Sequence, residues 1–175
     1  DLVRVEGSGS TEYRIWQGLL TAHHPQGAGV SYGRQVRYLV RSAVYGWLGG
    51  VGFGASAWQL RARDQWIGWS GAAREAQLPA VVGNTRWLLV PTVRVPHLAS
   101  HVLGQAVRQM AVDWDARYGV RPLLVETFVD EERYTGACYR AANWVRVGTT
   151  SGRGRQGTRL ASAVRGVYLY PLQPD

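Results

Sequence analysis

The fold is decided by a stretch that begins Arg86-Trp-Leu-Leu-Val-Pro-Thr-Val-Arg94 and continues Val95-Pro-His-Leu-Ala-Ser100. A helical pattern from His101 to Arg117 follows, and then come Pro122-Leu-Leu-Val-Glu-Thr-Phe-Val-Asp130 and Cys138-Tyr-Arg-Ala-Ala-Asn-Trp144. We interpret these pieces as a strand, a tight break, a long helix, a second strand and a short helix. A helix that starts directly after a strand presents free N–H groups and the positive end of its dipole, so this order predicts a site near the break.

The rest of the chain predicts further strands and helices around this centre. Apolar spacing predicts a helix from Glu12 to Thr21, followed by two paired strands over 37–42 and 45–56. The run Gln65–Trp69 is typical of another strand, the pair Gly83-Asn84 of a turn, and Val164–Pro171 of the last strand. Because no internal repeat and no linker is visible, we expect one α+β domain over residues 1–175.

The composition indicates a globular protein. Of the 175 residues, 46% are hydrophobic, which is enough for the core of one domain. No apolar run is long enough to span a membrane, so we expect no membrane partner. The single cysteine, Cys138, excludes an internal disulfide framework and predicts a reducing, cytoplasmic location. Since the chain starts at Asp1 without a Met, we expect it to be excised from or processed out of a longer chain.

The positive charge is carried by arginine alone. The net charge is +8, and no lysine occurs in the chain. Codon bias would explain this as well as function does, but arginine is also the better residue for bidentate phosphate contacts. A basic protein has affinity for polyanions, and we therefore predict that nucleic acid is a partner. The predicted contacts are Arg146, Arg153, Arg155 and Arg159, for which an ordinary solvated loop is the alternative.

Two carboxylates on the strand after the long helix are candidates for acid–base chemistry. Glu126 and Asp130 are four positions apart, so strand alternation puts both on one face. Asp130 precedes two further acidic residues and is more typical of a residue that caps a turn. Glu126 lies in an apolar run, where burial would raise its pKa toward the range of a general base. The alternative for Glu126 is an ion pair with an arginine at the edge of the core.

Four histidines allow two kinds of site. His23 and His24 lie in a glycine-rich loop and could contact substrate, although adjacent histidines are more often a polar pair on the surface. His97 and His101 flank Ser100, a candidate helix N-cap, and could bind an anion when protonated. No spacing typical of metal ligands occurs, so we predict no metal site.

Cys138 and the aromatic residues have an ordinary and a functional interpretation. Cys138 at the start of the short helix could be a nucleophile, but a lone cysteine in apolar surroundings is more often part of the core. Asp64, with Arg63 before it and Trp69 after it, could contact substrate or take part in a buried ion pair. Most of the eight tryptophans fill the core, and a few could line a cleft for a flat ligand.

The order of elements resembles that of the Gcn5-related N-acetyltransferases. In that family a loop of pattern Arg/Gln-x-x-Gly-x-Gly/Ala binds the pyrophosphate of acyl-coenzyme A, and the segment from Arg94 to Ala99 is similar to it. The match holds at Arg94 and Ala99 and departs at His97, where the family has glycine. The segment from Tyr139 to Trp144 is similar to the family's Tyr-x-x-x-Gly-Phe motif, which implies a general-acid role for Tyr139.

That resemblance implies a mixed, mostly antiparallel sheet that splays around its centre, with helices on both faces. Its cleft would lie between the 93–99 segment and Glu126-Thr127. Acyl-coenzyme A would be the cofactor, with Leu98, Ala99, Ser100 and His101 completing the anion-binding loop.

A second resemblance is closer at the level of short sequence motifs. His23-His-Pro-Gln-Gly, Arg63-Asp-x-Trp-Ile-Gly-Trp69, Leu98-Ala-Ser-His101, Glu126-Thr-Phe-Val-Asp130 and Cys138-Tyr-Arg-Ala-Ala-Asn-Trp144 together resemble the A component of the Druantia anti-phage system. Related domains accompany some transposases. The resemblance covers about residues 23–155 and implies phage defence or mobile-element biology, with other components of those systems as partners.

We therefore expect a group-transfer enzyme, with a nucleic-acid-binding module that keeps the fold without the cofactor as the alternative. In the enzyme, Glu126 would be the general base and Tyr139 the general acid, with Cys138 a further candidate. The predicted substrate contacts are His23, His24, Asp64, Trp69 and Asn143.

Overall fold

The computed structural model describes residues 1–152 and 163–172, which form seven strands, five α-helices and a single 3-10 turn. The strands are β1 (Leu2–Arg4), β2 (Gln35–Ser42), β3 (Gly46–Ala55), β4 (Val81–Leu89), β5 (Leu124–Val129), β6 (Val145–Thr149) and β7 (Gly166–Pro171). The helices are α1 (Thr11–His23), α2 (Arg61–Ile67), α3 (Gly71–Gln77), α4 (Leu98–Tyr118) and α5 (Ala137–Ala141), and the 3-10 turn covers Leu78–Ala80.

All seven strands belong to one mixed sheet, in the order β1-β2-β3-β4-β5-β7-β6. Neighbouring strands are antiparallel, except that β4 and β5 are parallel. β4 and β5 are parallel because α4 connects them and brings the chain back to the end of the sheet at which β4 starts. The predicted α+β class with a mostly antiparallel sheet is thus confirmed.

Helix α1 packs closely on β3 because β3 is rich in glycine. Trp16 of α1 lies over Gly50 and Gly52, where a methyl group at Gly50 would be 2.7 Å from the indole ring. Trp16 is buried in a cluster with Leu20 and Leu39. The glycines of β3 therefore make room for an aromatic ring against the backbone, as expected for glycine inside a strand.

Helix α4 covers the opposite face of the sheet. Strand alternation directs Tyr38 of β2 toward α4, whereas its neighbour Leu39 faces α1. The Tyr38 hydroxyl donates to Asp113 Oδ2 of α4 at 2.6 Å. The predicted apolar stripe of α4 forms the centre of the main core, namely Val102, Leu103, Ala106, Val107, Met110 and Trp114. Helices therefore lie on both faces of the sheet.

Three local predictions are wrong. The run Gln65–Trp69 is not a strand, because α2 spans Arg61–Ile67 and ends at Gly68 with a left-handed φ of 74°. Gly83-Asn84 is not a turn but the middle of β4, where a bulge and a side-chain hydrogen bond accommodate the two residues. Ser100 is not the N-cap of α4, which is His97, three residues earlier. In the described ranges, no helix combines the length and apolar character needed to cross a bilayer.

Candidate functional site

The two central strands separate after a short stretch of pairing. β4 and β5 pair at three positions, which are Val81 with Leu124, Val82 with Val125, and Gly83 with Glu126. Beyond these, β4 continues beside β3 alone and β5 beside β7 alone. The sheet is therefore splayed at its centre, and the cleft opens next to Asn84 and Thr127.

A buried hydrogen-bond network lies at the point of separation. The Tyr139 hydroxyl of α5 donates to Asn84 Oδ1 of β4 at 2.7 Å. Thr127 Oγ1 of β5 donates to the Asn84 carbonyl at 3.1 Å and is 3.5 Å from the Tyr139 hydroxyl. Asn84 Nδ2 donates in turn to the Gly52 carbonyl at 2.9 Å. The Tyr139 hydroxyl therefore lies at the point where β4 and β5 separate.

Burial controls the protonation of this tyrosine. It raises the pKa of the Tyr139 hydroxyl well above its ordinary value, with a hydrogen bond from Thr127 as the main opposing effect. The phenol is therefore neutral at physiological pH and carries a proton.

Aromatic side chains surround the network. Tyr139 packs edge-on against Trp144 at 5.1 Å between ring centroids, and Trp144 contacts Tyr170. Cys138 packs against the same core, where burial raises the pKa of its thiol. A cysteine in that environment is a poor nucleophile, so the geometry favours the core-filling interpretation of Cys138.

The break before α4 contains a left-handed residue and two backbone amides without an acceptor. His97 is the N-cap and has φ 61°, in the left-handed region that favours glycine. In the described part of the chain, the N–H groups of Ala99 and Ser100 have no acceptor, since Leu98 N–H donates to Val95 and His101 N–H to His97.

One arginine and two histidines lie close in sequence to the free amides. Arg94, His97 and His101 are exposed at the start of the helix. The Ser100 hydroxyl is not available as a free donor, because it donates to the His97 carbonyl at 3.1 Å.

Glu126 lies on the other face of the sheet from Tyr139. Its Oε2 accepts from Arg63 Nη1 and its Oε1 from the Ala57 N–H, at 2.8 and 2.7 Å. Burial raises the pKa of Glu126, and Arg63 opposes that effect. Both oxygens are therefore occupied away from the cleft, which fits the ion-pair alternative rather than a general base.

Asp64 completes this polar cluster. It accepts from Arg63 Nε at 2.9 Å and from the Trp69 indole N–H at 3.1 Å. Asp64 and Trp69 thus anchor α2, and the geometry favours the buried ion pair over a substrate contact. Asp130 has the turn-capping role proposed as its alternative, because it accepts from the Glu132 N–H at 3.2 Å.

The remaining predicted residues are dispersed. His23 ends α1, and His24 Nδ1 accepts from the Gln26 N–H in the next loop at 3.2 Å. Asn143 follows α5 with a left-handed φ of 69°. Arg146 forms two hydrogen bonds with Glu131, at 2.7 and 2.9 Å. Arg153, Arg155 and Arg159 lie outside the described residues. Across residues 1–152 and 163–172, no cluster of three metal-binding side chains occurs.

Two parts of the site were missed from the sequence. Asn84 was assigned to a turn, and only the strand bulge opposite Gly52 shows that its side chain reaches Tyr139. A cavity of about 240 Å³ on the α1 face, whose polar lining includes Tyr13, Gln35, Arg37 and Arg86, was also not anticipated. Its residues come from α1, from the loop after α1 and from three strands, so no local motif identifies it.

Solved structures similar to this chain include acetyltransferases. The chain is similar to aminoglycoside acetyltransferase AAC(6')-Ib, crystallised with coenzyme A and kanamycin, with 14% identity and a TM-score of 0.50. The match covers 78% of this chain and 66% of the enzyme, so the chain spans just under two thirds of the enzyme's length. A likeness of this size shows the fold alone.

Two further structures have lower scores. A mutant of spermidine N-acetyltransferase SpeG from Vibrio cholerae is 11% identical, with 78% of this chain and 65% of that chain covered and a TM-score of 0.48. A GCN5-related N-acetyltransferase from Kribbella flavida is 13% identical, with 98% and 83% covered and a TM-score of 0.46.

Among curated proteins, none matches the chain. The model of one protein family, described as Druantia protein DruA, matches residues 1–173. The match covers nearly the whole chain and agrees with the motifs quoted from His23 to Trp144. The chain therefore belongs to the DruA family and has a fold like that of the Gcn5-related N-acetyltransferases.

Proposed function

We propose that the chain transfers an acyl group from acyl-coenzyme A to an acceptor in the cleft between β4 and β5. The observation that carries this proposal is the position of the Tyr139 hydroxyl, 2.7 Å from Asn84 Oδ1 where the strands separate. A neutral phenol at that point is a proton donor beside the place where a leaving group would form.

The residues before and within the first turn of α4 fit the phosphates of such a donor. The N–H groups of Ala99 and Ser100 are free, and the helix dipole favours an anion there. His97, at the position where the family's loop has glycine, has a left-handed backbone that glycine adopts without strain. Arg94 would add positive charge at the same end. When bound, coenzyme A supplies the thioester that activates the acyl group.

In this proposal the Tyr139 O–H turns from Asn84 Oδ1 and gives its proton to the leaving thiolate, and the phenolate then regains a proton from solvent. Asn84 positions the hydroxyl, and the aromatic side chains of Trp144 and Tyr170 keep water from that side of the ring. Glu126 has no part in the chemistry, because Arg63 and the Ala57 N–H occupy its carboxylate. The acceptor would lose its proton to solvent or to a group that the acceptor itself brings.

The family membership supports a cellular context for this activity. We propose that the chain acts in phage defence or mobile-element biology, together with other components of the defence or transposition system in the cytoplasm.

Donor binding is tested by thermal unfolding with acetyl-coenzyme A. At about 100 times its Kd, a ligand adds about 2.7 kcal/mol, which corresponds to a rise in Tm of about 5 °C or more for a chain of this size. Ser100→Glu places a carboxylate among the free amides, where it stabilises the helix but repels phosphate, so the rise should disappear. Gln105→Glu adds the same charge further along the helix at an exposed position and should leave the rise unchanged.

Chemistry is tested separately from binding. Without an added acceptor, water should take the acetyl group slowly, so that acetyl-coenzyme A is hydrolysed to acetate and free thiol. Tyr139→Phe should reduce this thiol release at least tenfold while the rise in Tm remains. An unchanged Tm of the parent protein at millimolar acetyl-coenzyme A would exclude the donor and with it the proposed reaction.

A second candidate is a nucleic-acid-binding module that keeps the fold without the cofactor. The net charge of +8 and the half-buried Arg37 and Arg86, whose surroundings are described next, favour it. A gel-shift titration with salt tests it, because phosphate contacts make affinity fall steeply as salt rises. Absence of binding to DNA and RNA at low salt would eliminate this candidate.

A further inference from the structure

The cavity on the α1 face is lined by polar groups and arginine, without a carboxylate. Its volume is about 240 Å³, and it lies between α1, the segment 28–31 and the bulge of β3 and β4. In the described part of the chain, the polar and charged side chains that line it are Tyr13, Gln17, Ser31, Gln35, Arg37, Thr85 and Arg86. A second cavity of about 250 Å³ shares Tyr13, Gln35 and Arg37 with the first, so the two adjoin.

The two arginines of the first cavity are half-buried without a counter-ion. In the described ranges, no carboxylate lies within 4 Å of the guanidinium of Arg37 or Arg86. Burial lowers the pKa of both groups, as expected where a cation loses water and gains no anion. Burial of two guanidinium groups lowers the stability of the protein unless an anion binds between them.

Neutral groups hold both guanidinium groups in place. Arg37 donates from Nε and Nη2 to Gln35 Oε1, at 3.1 and 2.6 Å, and lies over the Tyr13 ring. Arg86 donates from Nε to the Gly27 carbonyl at 3.0 Å, which attaches the loop after α1 to the sheet. These contacts fix the arginines without neutralising them.

Positive charges outnumber negative charges in the described lining of the two cavities. Arg117 adds a third guanidinium in the second cavity, and Glu6 is the single carboxylate of its described lining. Glu6 is already paired with Arg4. The combined groove therefore has an excess of positive charge, next to neutral donors from Tyr13, Gln17 and Thr85.

We infer that this groove binds the phosphate of a nucleotide or of a nucleic-acid strand, with Arg37 and Arg86 as the principal contacts. Guanidinium groups fixed by neutral acceptors, with free N–H donors and no competing carboxylate, are the groups that recognise phosphate. The site is separate from the free amides of α4, and the inference does not depend on acyl transfer. Gly52 lines the groove, and its carbonyl accepts a hydrogen bond from Asn84, the partner of Tyr139.

The test measures binding of a fluorescein-labelled 12-nucleotide dT strand and of AMP to the full chain by fluorescence anisotropy and competition. Arg37→Gln removes one charge, and Gln17→Glu adds a carboxylate to the groove. Gln17 Nε2 donates to the Tyr13 hydroxyl, and the carboxylate of the variant would instead accept from that hydroxyl. Each should weaken binding about tenfold or more, the loss expected for one charge-assisted contact. Arg108→Gln removes an equal charge from the exposed face of α4 and should change affinity less than twofold.

If the strand binds and AMP displaces it, the groove recognises the phosphate of a nucleotide. If the strand binds and AMP does not displace it, the groove recognises the phosphodiester of a strand. Equal losses in Arg108→Gln and Arg37→Gln, or no binding by the parent protein, would overturn the inference. Gln17→Glu should keep the rise in Tm with acetyl-coenzyme A, so failure here is distinguishable from failure of the proposed reaction.

Discussion

Arg63 and Glu126 form a buried ion pair across the interface of α2 and β5, with Arg63 Nη1 2.8 Å from Glu126 Oε2. Their side chains are 0% and 1% exposed. The residues are separated by 63 positions in the chain, so this contact joins the α2 region to the strand beside the cleft. We therefore expect removal of either partner to reduce the stability of the protein.

Loss of the Glu126 charge should therefore lower the free energy of unfolding. Glu126→Gln keeps the shape but leaves the Arg63 charge buried with Asp64 alone, at a cost of about 3 kcal/mol. Urea unfolding would measure it, with the exposed Glu75→Gln as a control that should not change the midpoint. A variant as stable as the parent that has lost group transfer would instead support the general-base role.

Tyr139→Phe should reduce the stability as well as the activity. It leaves the buried Asn84 amide oxygen without its donor, which costs about 1–3 kcal/mol. Tyr134→Phe, at a tyrosine that is 52% exposed, should have no effect on the urea midpoint. If Tyr139→Phe leaves the urea midpoint unchanged, the Asn84 amide oxygen has found another donor.

His97→Gly should stabilise the protein by up to about 1 kcal/mol, because glycine adopts the left-handed backbone without the Cβ penalty. Gly119→Ala at the other end of α4, where φ is 64°, should destabilise it by about the same amount. Thermal unfolding of both variants provides a matched comparison. If His97→Gly is destabilising, the imidazole makes an interaction that offsets its backbone strain.

Gly50→Ala should destabilise the protein by about 1–3 kcal/mol, since its methyl group would overlap Trp16. Adding Trp16→Phe, whose ring is smaller, should recover part of the loss. Gly18→Ala on the exposed face of α1 meets open space and should stabilise the helix by about 0.5–1 kcal/mol. Equal effects of Gly50→Ala and Gly18→Ala on Tm would contradict the close packing of α1 on β3.

Glu131 should contribute to stability in mildly acidic solution. Hydrogen bonds from Arg146 and Tyr168 lower the pKa of this carboxyl from 4.5 to about 2. Because the folded pKa is lowered, the contribution is complete above pH 4.5 and is lost as the pH falls to about 2. The pair is partly exposed, so the contribution is below about 1 kcal/mol. The difference in stability between parent and Glu131→Gln should therefore decrease as the pH falls from about 5 to about 2.

The elements with strong periodicity could be predicted from the sequence. The helix expected from His101 to Arg117 is α4, and the strand expected over Pro122–Asp130 is β5, with ends that differ by one to three residues. The left-handed residue at the start of α4 could not be predicted, because a histidine there gives no signal that glycine would give. The run Gln65–Trp69 has the aromatic and β-branched residues typical of a strand, although its first three residues lie in α2.

The candidate site was only partly visible for a different reason. Tyr139 follows from a local motif, whereas its partner Asn84 lies 55 positions away and depends on a bulge between two strands. The role of Glu126 depends on Arg63, and no local pattern links those positions. Burial and charge pairing are tertiary properties, so the sequence identified these residues without identifying their partners.

The short parallel contact between β4 and β5 has a consequence for dissection of the molecule. Residues 1–118 carry β1 to β4, and the part from Gly119 onward carries β5 to β7, so each portion keeps its own antiparallel ladders. Cleavage of the connection after Gly119 would interrupt no ladder within either portion. The contacts that would rejoin them include three strand residue pairs, the Arg63–Glu126 ion pair and the hydrogen bonds of Asn84 with Thr127 and Tyr139. This connection is therefore the natural place to divide the chain into two complementing fragments.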